Sequence, residues 1–267
     1  MADVRVNWGE LPAGVRGAVE ARTGPVDAVV GVPFGITCRF AAVLSTAGGQ
    51  VFVKGVPAGY ERGRSAQSWE VALNPAVVGV SPRLLWRVEA AGWDLLGFEF
   101  VPGAHADLSP GSPDLPAVAD VLTAAGGRRA PAGVPPLTDR WSDLDEEDLV
   151  LLAGDTLLHT DTNPHNLLVG AGRGWLVDWA LPAAGPAWVD VAFTALRLME
   201  CGEHSPESAL DWAHQFDCWA GVDPRALAAL EGATRRHRVA AVGERGARWA
   251  NGVFASLLEA HVHAAAR

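Results

Sequence analysis

Two oxygen-bearing side chains lie at the open end of a predicted β-hairpin. The apolar stretches Leu167–Val169 and Trp175–Val177 flank the five-residue, glycine-rich turn Gly170–Gly174, a pattern typical of two antiparallel strands. Asn166 precedes the first strand, and Asp178 follows the second. The sequence therefore predicts that an amide and a carboxylate extend from neighbouring strand ends.

The register of this hairpin decides how close the two side chains lie. Pairing Val169 with Trp175 places Asn166 opposite Asp178, one step beyond the strand ends. Directly opposed Cβ atoms are about 4.5–5.5 Å apart, so the two oxygen ligands would share one point. Such hard ligands suit magnesium, which takes one or two carboxylates and completes its shell with water and phosphate. In the alternative interpretation, the two side chains merely cap loops of a turn-rich hairpin.

A second carboxylate precedes the hairpin. Asp161 lies five residues before Asn166, in a segment that Pro164 keeps from being helical, so it can fold back towards the same point. A carboxylate beside a metal-bound phosphate can accept or orient the proton of a substrate hydroxyl. His159 and His165 are more typical of packing and hydrogen-bonding residues, and we leave them out of the catalytic set.

Together these residues resemble the catalytic and metal-binding segments of protein-kinase-like phosphotransferases, specifically the aminoglycoside phosphotransferase family. The spacing His159-x-Asp161-x4-Asn166, with Asp178 twelve residues after Asn166, fits the pattern of that family. Asp190 falls where the family has a further acidic residue of structural role. The resemblance implies ATP and Mg²⁺ as cofactors, with Asp161 as the catalytic residue and Asn166 and Asp178 as metal ligands.

A kinase of this type needs a strand lysine for the phosphates and a helix glutamate that holds it. Of the 21 basic residues only one, Lys54, is a lysine, and it follows the predicted strand Val51–Val53. By alternation Lys54 shares a face with Phe52, so its ammonium is not on a plain solvated surface. Glu70 lies on the apolar side of a predicted helix, where an unpaired carboxylate would be costly. Each is therefore expected to be the counter-charge of the other.

Two more segments complete the nucleotide site that the resemblance implies. The segment Phe98–Gly103 resembles the hinge, so the Glu99 carbonyl and the Val101 amide are expected to contact adenine. The phosphate loop falls on Gly31–Cys38, where backbone amides, that of Gly35 included, and the hydroxyl of Thr37 could face the phosphates. No G-x-G-x-x-G motif occurs there, which is a departure from the pattern of protein kinases.

The remaining pattern predicts an α+β, bilobal, protein-kinase-like fold. Residues 26–56 alternate β-branched and apolar runs with glycine-bearing turns, which indicates antiparallel strands. A helix over Arg62–Asn74 follows, ended by Pro75, and then the strands Leu84–Val88 and Leu95–Val101. We expect residues 1–100 to form a β-rich nucleotide-binding lobe.

Residues 101–267 are predicted to form a mainly helical lobe with the catalytic and substrate-binding groups. The expected helices are Leu115–Ala125, one that Ser142 caps, Pro206–Trp219, Pro224–Val242 and Ala247–Ala265. This part also carries the whole formal charge of the chain, which is −10. Its acidity would attract a polycation such as an aminoglycoside, although acidic residues on helix starts and outer faces also serve solubility.

Composition excludes several classes of protein. Net acidity without a Lys/Arg block argues against nucleic acid as a partner. No stretch of about 18 uncharged apolar residues occurs and the first 25 residues lack a secretory pattern, so we predict a cytoplasmic protein that does not enter a membrane. Three widely spaced cysteines exclude a disulfide framework and a CxxC-type zinc site.

The leading hypothesis is ATP-dependent transfer of the γ-phosphoryl group to a hydroxyl of a small molecule. Thr160 stands where protein kinases carry Arg, and no activation-segment motif follows Asp178, so a small acceptor is favoured over a protein. An aminoglycoside or another antibiotic is one candidate, which would imply antibiotic resistance, and choline or homoserine is another.

Two rival hypotheses remain open. The first is a non-catalytic nucleotide-binding regulatory protein with a kinase-like fold. The second is a metallohydrolase that would use His159, Asp161, His165 and Asp178. It leaves the only lysine and its predicted glutamate partner without a role.

Overall fold

The computed structural model describes residues 5–33 and 38–266 of the chain. It divides into two compact units, an N-terminal unit of Met1–Gly103 with Val177–Ala180 and a C-terminal unit of Ala104–Leu176 with Leu181–Arg267. The first contains a five-stranded sheet and the second most of the helices. The predicted α+β fold class is therefore confirmed.

The N-terminal unit is built on one antiparallel sheet with the strand order β1-β2-β3-β5-β4. Its elements, in chain order, are helix α1 (Ala13–Thr23), β1 (Val26–Gly31), β2 (Phe40–Thr46), β3 (Gly49–Pro57), α2 (Glu61–Val77), β4 (Leu84–Ala90) and β5 (Trp93–Glu99). The strands expected between residues 26 and 56 and after residue 84 are thus present.

One face of this sheet packs against helix α1, which the sequence pattern did not predict. Its buried residues are only Val15 and Val19, one turn apart, and they join Phe40 and Leu44 of β2 in the core. Two buried side chains in eleven residues give a weak helical pattern. Burial against the sheet, more than local propensity, therefore stabilises α1.

Helix α2 continues through Pro75 to Val77, so the predicted end at Asn74 is wrong. Proline near the last turn removes one hydrogen bond, and burial of Val77 offsets that loss. The buried Asn74 side chain donates to the Pro82 carbonyl at 2.9 Å and accepts from the Leu84 amide at 2.8 Å. These bonds fasten the end of α2 to the start of β4.

The C-terminal unit combines helices with two small sheets, of strand orders β6-β8-β9 and β10-β7. Its elements are β6 (Ala104–His105), α3 (Leu115–Gly126), α4 (Glu146–Leu151), β7 (Thr156–Leu158), β8 (Leu167–Gly170), β9 (Arg173–Leu176), β10 (Ala183–Gly185), α5 (Trp188–Cys201), α6 (Pro206–Ala213) and α7 (Pro224–Ala265). None of these or the other described helices is long and apolar enough to cross a membrane.

Several predicted helix bounds need correction. Asp145, and not Ser142, caps α4, because its carboxylate accepts from the Asp148 amide at 2.8 Å. Helix α6 ends at Ala213, before a short 3-10 turn. Helix α7 is broken at Gly243, where φ is 75° and ψ is 165°, which agrees with the two helices expected on either side.

The β8–β9 hairpin is tighter than predicted. Its turn has only two residues, Ala171 and Gly172, both with positive φ, which is the type I′ geometry that suits twisted strands. Val169 therefore pairs with Gly174 instead of Trp175. The predicted register is wrong by one residue, and so is the argument that placed Asn166 opposite Asp178.

Packing against α3 gives a physical reason for the observed position of β9. A Cβ atom on Gly174 would lie 2.4 Å from the carbonyl oxygen of Ala117, which belongs to the backbone of α3. Only glycine therefore allows the helix to approach the strand so closely. Such a long-range contact is invisible in the local pattern.

We predict that Gly174→Ala destabilises the protein by about 1–3 kcal/mol, because the added methyl group overpacks the α3–β9 contact. The free energy of unfolding in urea measures this effect. The control is Gly252→Ala in α7, where an added Cβ meets nothing within 4 Å and should leave stability equal or slightly higher. Equal stability of the two variants would contradict the packing argument.

Candidate active site

The first candidate group lies in the N-terminal unit and surrounds Lys54. Strand β3 carries Lys54, helix α2 carries Glu70, and Asp178 lies in the segment Val177–Ala180 of the same unit. The Lys54 ammonium lies 2.5 Å from Glu70 Oε2 and 2.8 Å from Asp178 Oδ1. The expected partnership of Lys54 and Glu70 is therefore present, and Asp178 is a second carboxylate on the same ammonium.

Burial makes these charges depend on one another. Burial alone would lower the pKa of Lys54, but the carboxylates of Asp178 and Glu70 outweigh it and raise that pKa above its ordinary value. Burial raises the pKa of Glu70 to about 7, against the lowering effect of Lys54. A buried ammonium between two carboxylates is stable only while the pairing persists.

The surroundings fix the direction of the lysine side chain. In the sheet Lys54 pairs with Ala41 of β2 on one side and with Leu96 of β5 on the other. Its ammonium also lies 5.8 Å from the centre of the Phe98 ring. Asp178 adopts φ 66°, a left-handed conformation uncommon outside glycine, which is typical of residues held in place by a functional site.

The second group lies in the C-terminal unit, in residues 159–166, here named the Asp161 segment. Both carboxylate oxygens of Asp161 accept hydrogen bonds from side-chain amides. Asn163 Nδ2 donates to Oδ1 at 2.8 Å, and Asn166 Nδ2 donates to Oδ2 at 3.1 Å and to the Asp161 carbonyl at 2.9 Å. The carboxylate is therefore held in one orientation.

The geometry of Asn166 fits a cation ligand. Its amide nitrogen is turned to two oxygens of Asp161, so the opposite atom of the amide must be the oxygen. Among the described residues that oxygen has no hydrogen-bond partner, although the side chain is buried to all but 8%. An amide oxygen is one of the hard oxygen ligands that Mg²⁺ takes.

Helix α5 holds the start of the Asp161 segment through Asp190. The buried Asp190 carboxylate accepts from the amides of His159 at 2.7 Å and Thr160 at 2.8 Å. Burial raises the pKa of Asp190, while His159 and the two amides lower it. Asp190 thus holds the backbone of His159 and Thr160 in place, which supports the structural role that the resemblance implied for it.

Two residues near Asp161 were missed in the sequence. Asn163 had a readable signal, since an Asn directly before a proline is typical of a cap on a short helix. Arg140 had none, because its Nη2 donates to the Leu181 carbonyl, 41 residues away in the chain, at 2.5 Å. Thr160 Oγ1 donates to the same carbonyl at 2.6 Å.

The predicted adenine and phosphate contacts involve four further residues, Glu99, Val101, Gly35 and Thr37. Glu99 is the last residue of β5 and its amide donates to the Arg83 carbonyl at 2.8 Å, while Val101 follows in irregular chain. Gly35 and Thr37 lie outside the described residues.

The metallohydrolase hypothesis requires several His, Cys, Asp or Glu side chains around one metal ion. Within residues 5–33 and 38–266, no three His, Cys, Asp or Glu side chains are close enough to hold a metal ion together. His159 is fully buried, and its Nδ1 accepts from the Asp161 amide at 3.3 Å.

Comparison with solved structures identifies the fold. An aminoglycoside phosphotransferase from Alicyclobacillus acidocaldarius superposes with a TM-score of 0.60 at 15% identity, over 95% of each chain. The chain has the fold of the aminoglycoside phosphotransferase family. Choline kinase LicA from Streptococcus pneumoniae matches over 91% of this chain and 98% of its own, with a TM-score of 0.59 and 14% identity.

A third phosphotransferase shows how widely this fold is shared. Macrolide 2'-phosphotransferase MphH from Brachybacterium faecium matches over 88% of this chain and 96% of its own, with a TM-score of 0.53 and 16% identity. LicA has also been solved in complex with AMP. No family model and no curated protein matches the chain by sequence. The predicted resemblance is therefore confirmed for the phosphotransferase fold.

We predict that Asp190→Asn lowers the free energy of unfolding by about 1–3 kcal/mol, because an amide offers one acceptor oxygen where two backbone amides need two. Urea denaturation measures this loss. The control is Asp211→Asn on the exposed face of α6, which should change stability by less than about 0.5 kcal/mol. A variant at Asp190 as stable as the wild type would show that the second acceptor is unnecessary.

Proposed function

We propose that the protein is a small-molecule kinase that transfers the γ-phosphoryl group of ATP to a hydroxyl. The observation that carries this proposal is the buried Lys54 ammonium between Glu70 and Asp178. A lysine is costly to bury, and in a chain with 20 arginines the single lysine lies at this buried position. A compact cation in this setting suits the α- and β-phosphates of a nucleotide.

The remaining groups take the following roles. Glu70 holds Lys54 in position, and Asn166 and Asp178 would hold Mg²⁺, which supplies positive charge to the phosphates when bound. Asp161 orients the acceptor hydroxyl and takes its proton as the new P–O bond forms and the bond to ADP breaks. The AMP complex of a protein with this fold supports a nucleotide as the co-substrate.

The adenine and phosphate contacts complete the proposal. The backbone of Glu99 and Val101 would pair with adenine, as a hinge does. Gly35 and Thr37 would contact the phosphates through an amide and a hydroxyl. Catalysis would rest mainly on positioning, because phosphoryl transfer demands little covalent chemistry from the protein.

The acceptor in this proposal is a small compound with a hydroxyl group, and the next question is whether it carries positive charge. The similar structures are named for aminoglycoside, choline and macrolide substrates, which differ widely in size. The acidic run before and within α4 is partly neutralised, since Arg236 pairs with Asp143 and Arg225 with Glu147 at 3.1 Å. The electrostatic argument for an aminoglycoside as the acceptor is therefore weaker than the net charge alone indicates.

The experiment that tests this function is a screen of hydroxylated compounds for acceptor-dependent ADP release. We expect release with at least one acceptor, and a loss of about 10²–10⁴-fold in kcat for Asp161→Asn, with the Kd of Mg·ATP within twofold by calorimetry. The matched control is Asp120→Asn on the exposed side of α3, which should keep full activity.

Two outcomes would count against the enzyme. Nucleotide binding without any acceptor-dependent release would favour the non-catalytic regulatory protein. Full activity of Asp161→Asn would remove the proposed proton acceptor.

Lys54→Arg tests the need for a compact ammonium. We predict a rise of at least about tenfold in the KM for ATP, because a planar guanidinium does not fit between two carboxylates placed for an ammonium. Steady-state kinetics at varied ATP measures it, and Arg22→Lys at the exposed end of α1 is the converse exchange without expected effect. Normal kinetics of Lys54→Arg would overturn the argument from the single lysine.

A further inference from the structure

The side chain of Asn163 makes two different contacts at once. Its Oδ1 accepts from the His165 amide at 2.9 Å, which caps the short 3-10 helix Pro164–Asn166. Its Nδ2 donates to Asp161 Oδ1 at 2.8 Å. Because the cap fixes the amide oxygen, the amide nitrogen is turned towards the carboxylate of Asp161.

We propose that Asn163 is a positioning residue that sets the orientation of Asp161 for the acceptor hydroxyl. This inference rests on the proposed function, in which Asp161 receives that hydroxyl. The terminal torsion of an aspartate is broad, so a carboxylate held on one oxygen alone can still swing. Asn166 holds the other oxygen, and Asn163 completes the clamp.

The clamp leaves room for the substrate. A carboxylate has about four lone-pair sites, and the two side-chain amides use two of them. The acceptor hydroxyl can therefore donate to a remaining site without displacing either amide. A displacement of about 1 Å at this point is enough to cost about 10²-fold in rate, because the reacting atoms must be aligned.

A plain cap is the competing explanation, and the chemistry of Asn163 separates it from positioning. Serine and aspartate cap helices about as well as asparagine, so Asn163→Ser and Asn163→Asp keep the bond to the His165 amide. Neither reproduces the contact that Asn163 Nδ2 makes with Asp161, since the serine hydroxyl lies one bond nearer the backbone and aspartate has no N–H. Asn163→Asp also brings a second carboxylate against the first.

The kinetic test uses the full chain with an acceptor found by ADP release. We expect kcat to fall at least tenfold in Asn163→Ser and further in Asn163→Asp, with the KM for ATP within twofold of wild type. The matched control is Asp145→Asn, a cap exchange at α4, which should leave kcat unchanged. The proposal is overturned if both Asn163 variants keep kcat within twofold, or if their loss appears equally in the KM for ATP.

A stability test examines the contact between Asn163 and Asp161 independently of catalysis. Asn163→Asp should lower the melting temperature, and the exchanged pair Asp161→Asn/Asn163→Asp should regain at least half of that loss, because donor and acceptor are restored in reverse. The exchanged pair should stay inactive. A double variant no more stable than Asn163→Asp would overturn the contact. A wild type that releases no ADP would refute the proposed function, and the melting temperatures would still decide whether the two side chains hold each other.

Discussion

The buried ammonium of Lys54 is the constraint on which the N-terminal unit depends. It draws one carboxylate from α2 and one from residues 177–180, so both must be held against β3. Helix α2 is held at two points, since Gln67 donates to the Asp94 carbonyl at 3.2 Å and Asn74 bonds the chain that leads into β4. Burying an unpaired lysine at this depth would cost more free energy than most single contacts contribute. The helix that carries its partner Glu70 must therefore be held firmly, and these polar groups hold it.

The Asp161 segment is also built around one charged group, here a carboxylate held by neutral amides. Its backbone enters at Thr160 with φ 67°, which costs free energy for a residue other than glycine. Asp190 meets that cost by accepting from two successive amides, and the Leu181 carbonyl accepts the Thr160 hydroxyl. The carboxylates of Asp178 and Asp161 are therefore each held by neighbouring polar side chains, Lys54 for the first and two asparagines for the second.

Local patterns predicted what local forces determine. Alternating apolar runs located the strands of the large sheet, and the strand lysine with its helix glutamate was readable because both are charges on apolar faces. The hairpin register failed because the turn has two residues, Ala171 and Gly172, where the sequence pattern indicated five. The end of α2 failed because tertiary burial outweighed Pro75. Arg140 was missed because its contact spans the chain, whereas Asn163 could have been found from its capping position.

In the proposed function, specificity for the acceptor would arise from local groups, since neither the fold nor the net charge selects an acceptor. Proteins with this fold are named for aminoglycosides, choline and macrolides. In the C-terminal unit much of the acidic excess already serves caps and ion pairs, as Asp145 and Asp143 show. Near Asp161, by contrast, the guanidinium of Arg140 donates to the carbonyls of Leu181 and Pro182. It has no carboxylate within 4 Å among the described residues. Leu181 itself is 57% exposed. Groups of this kind act over a few ångströms. At that range, a misplaced charge or an unpaired polar group on the acceptor weakens binding by more than the attraction of distant charges strengthens it.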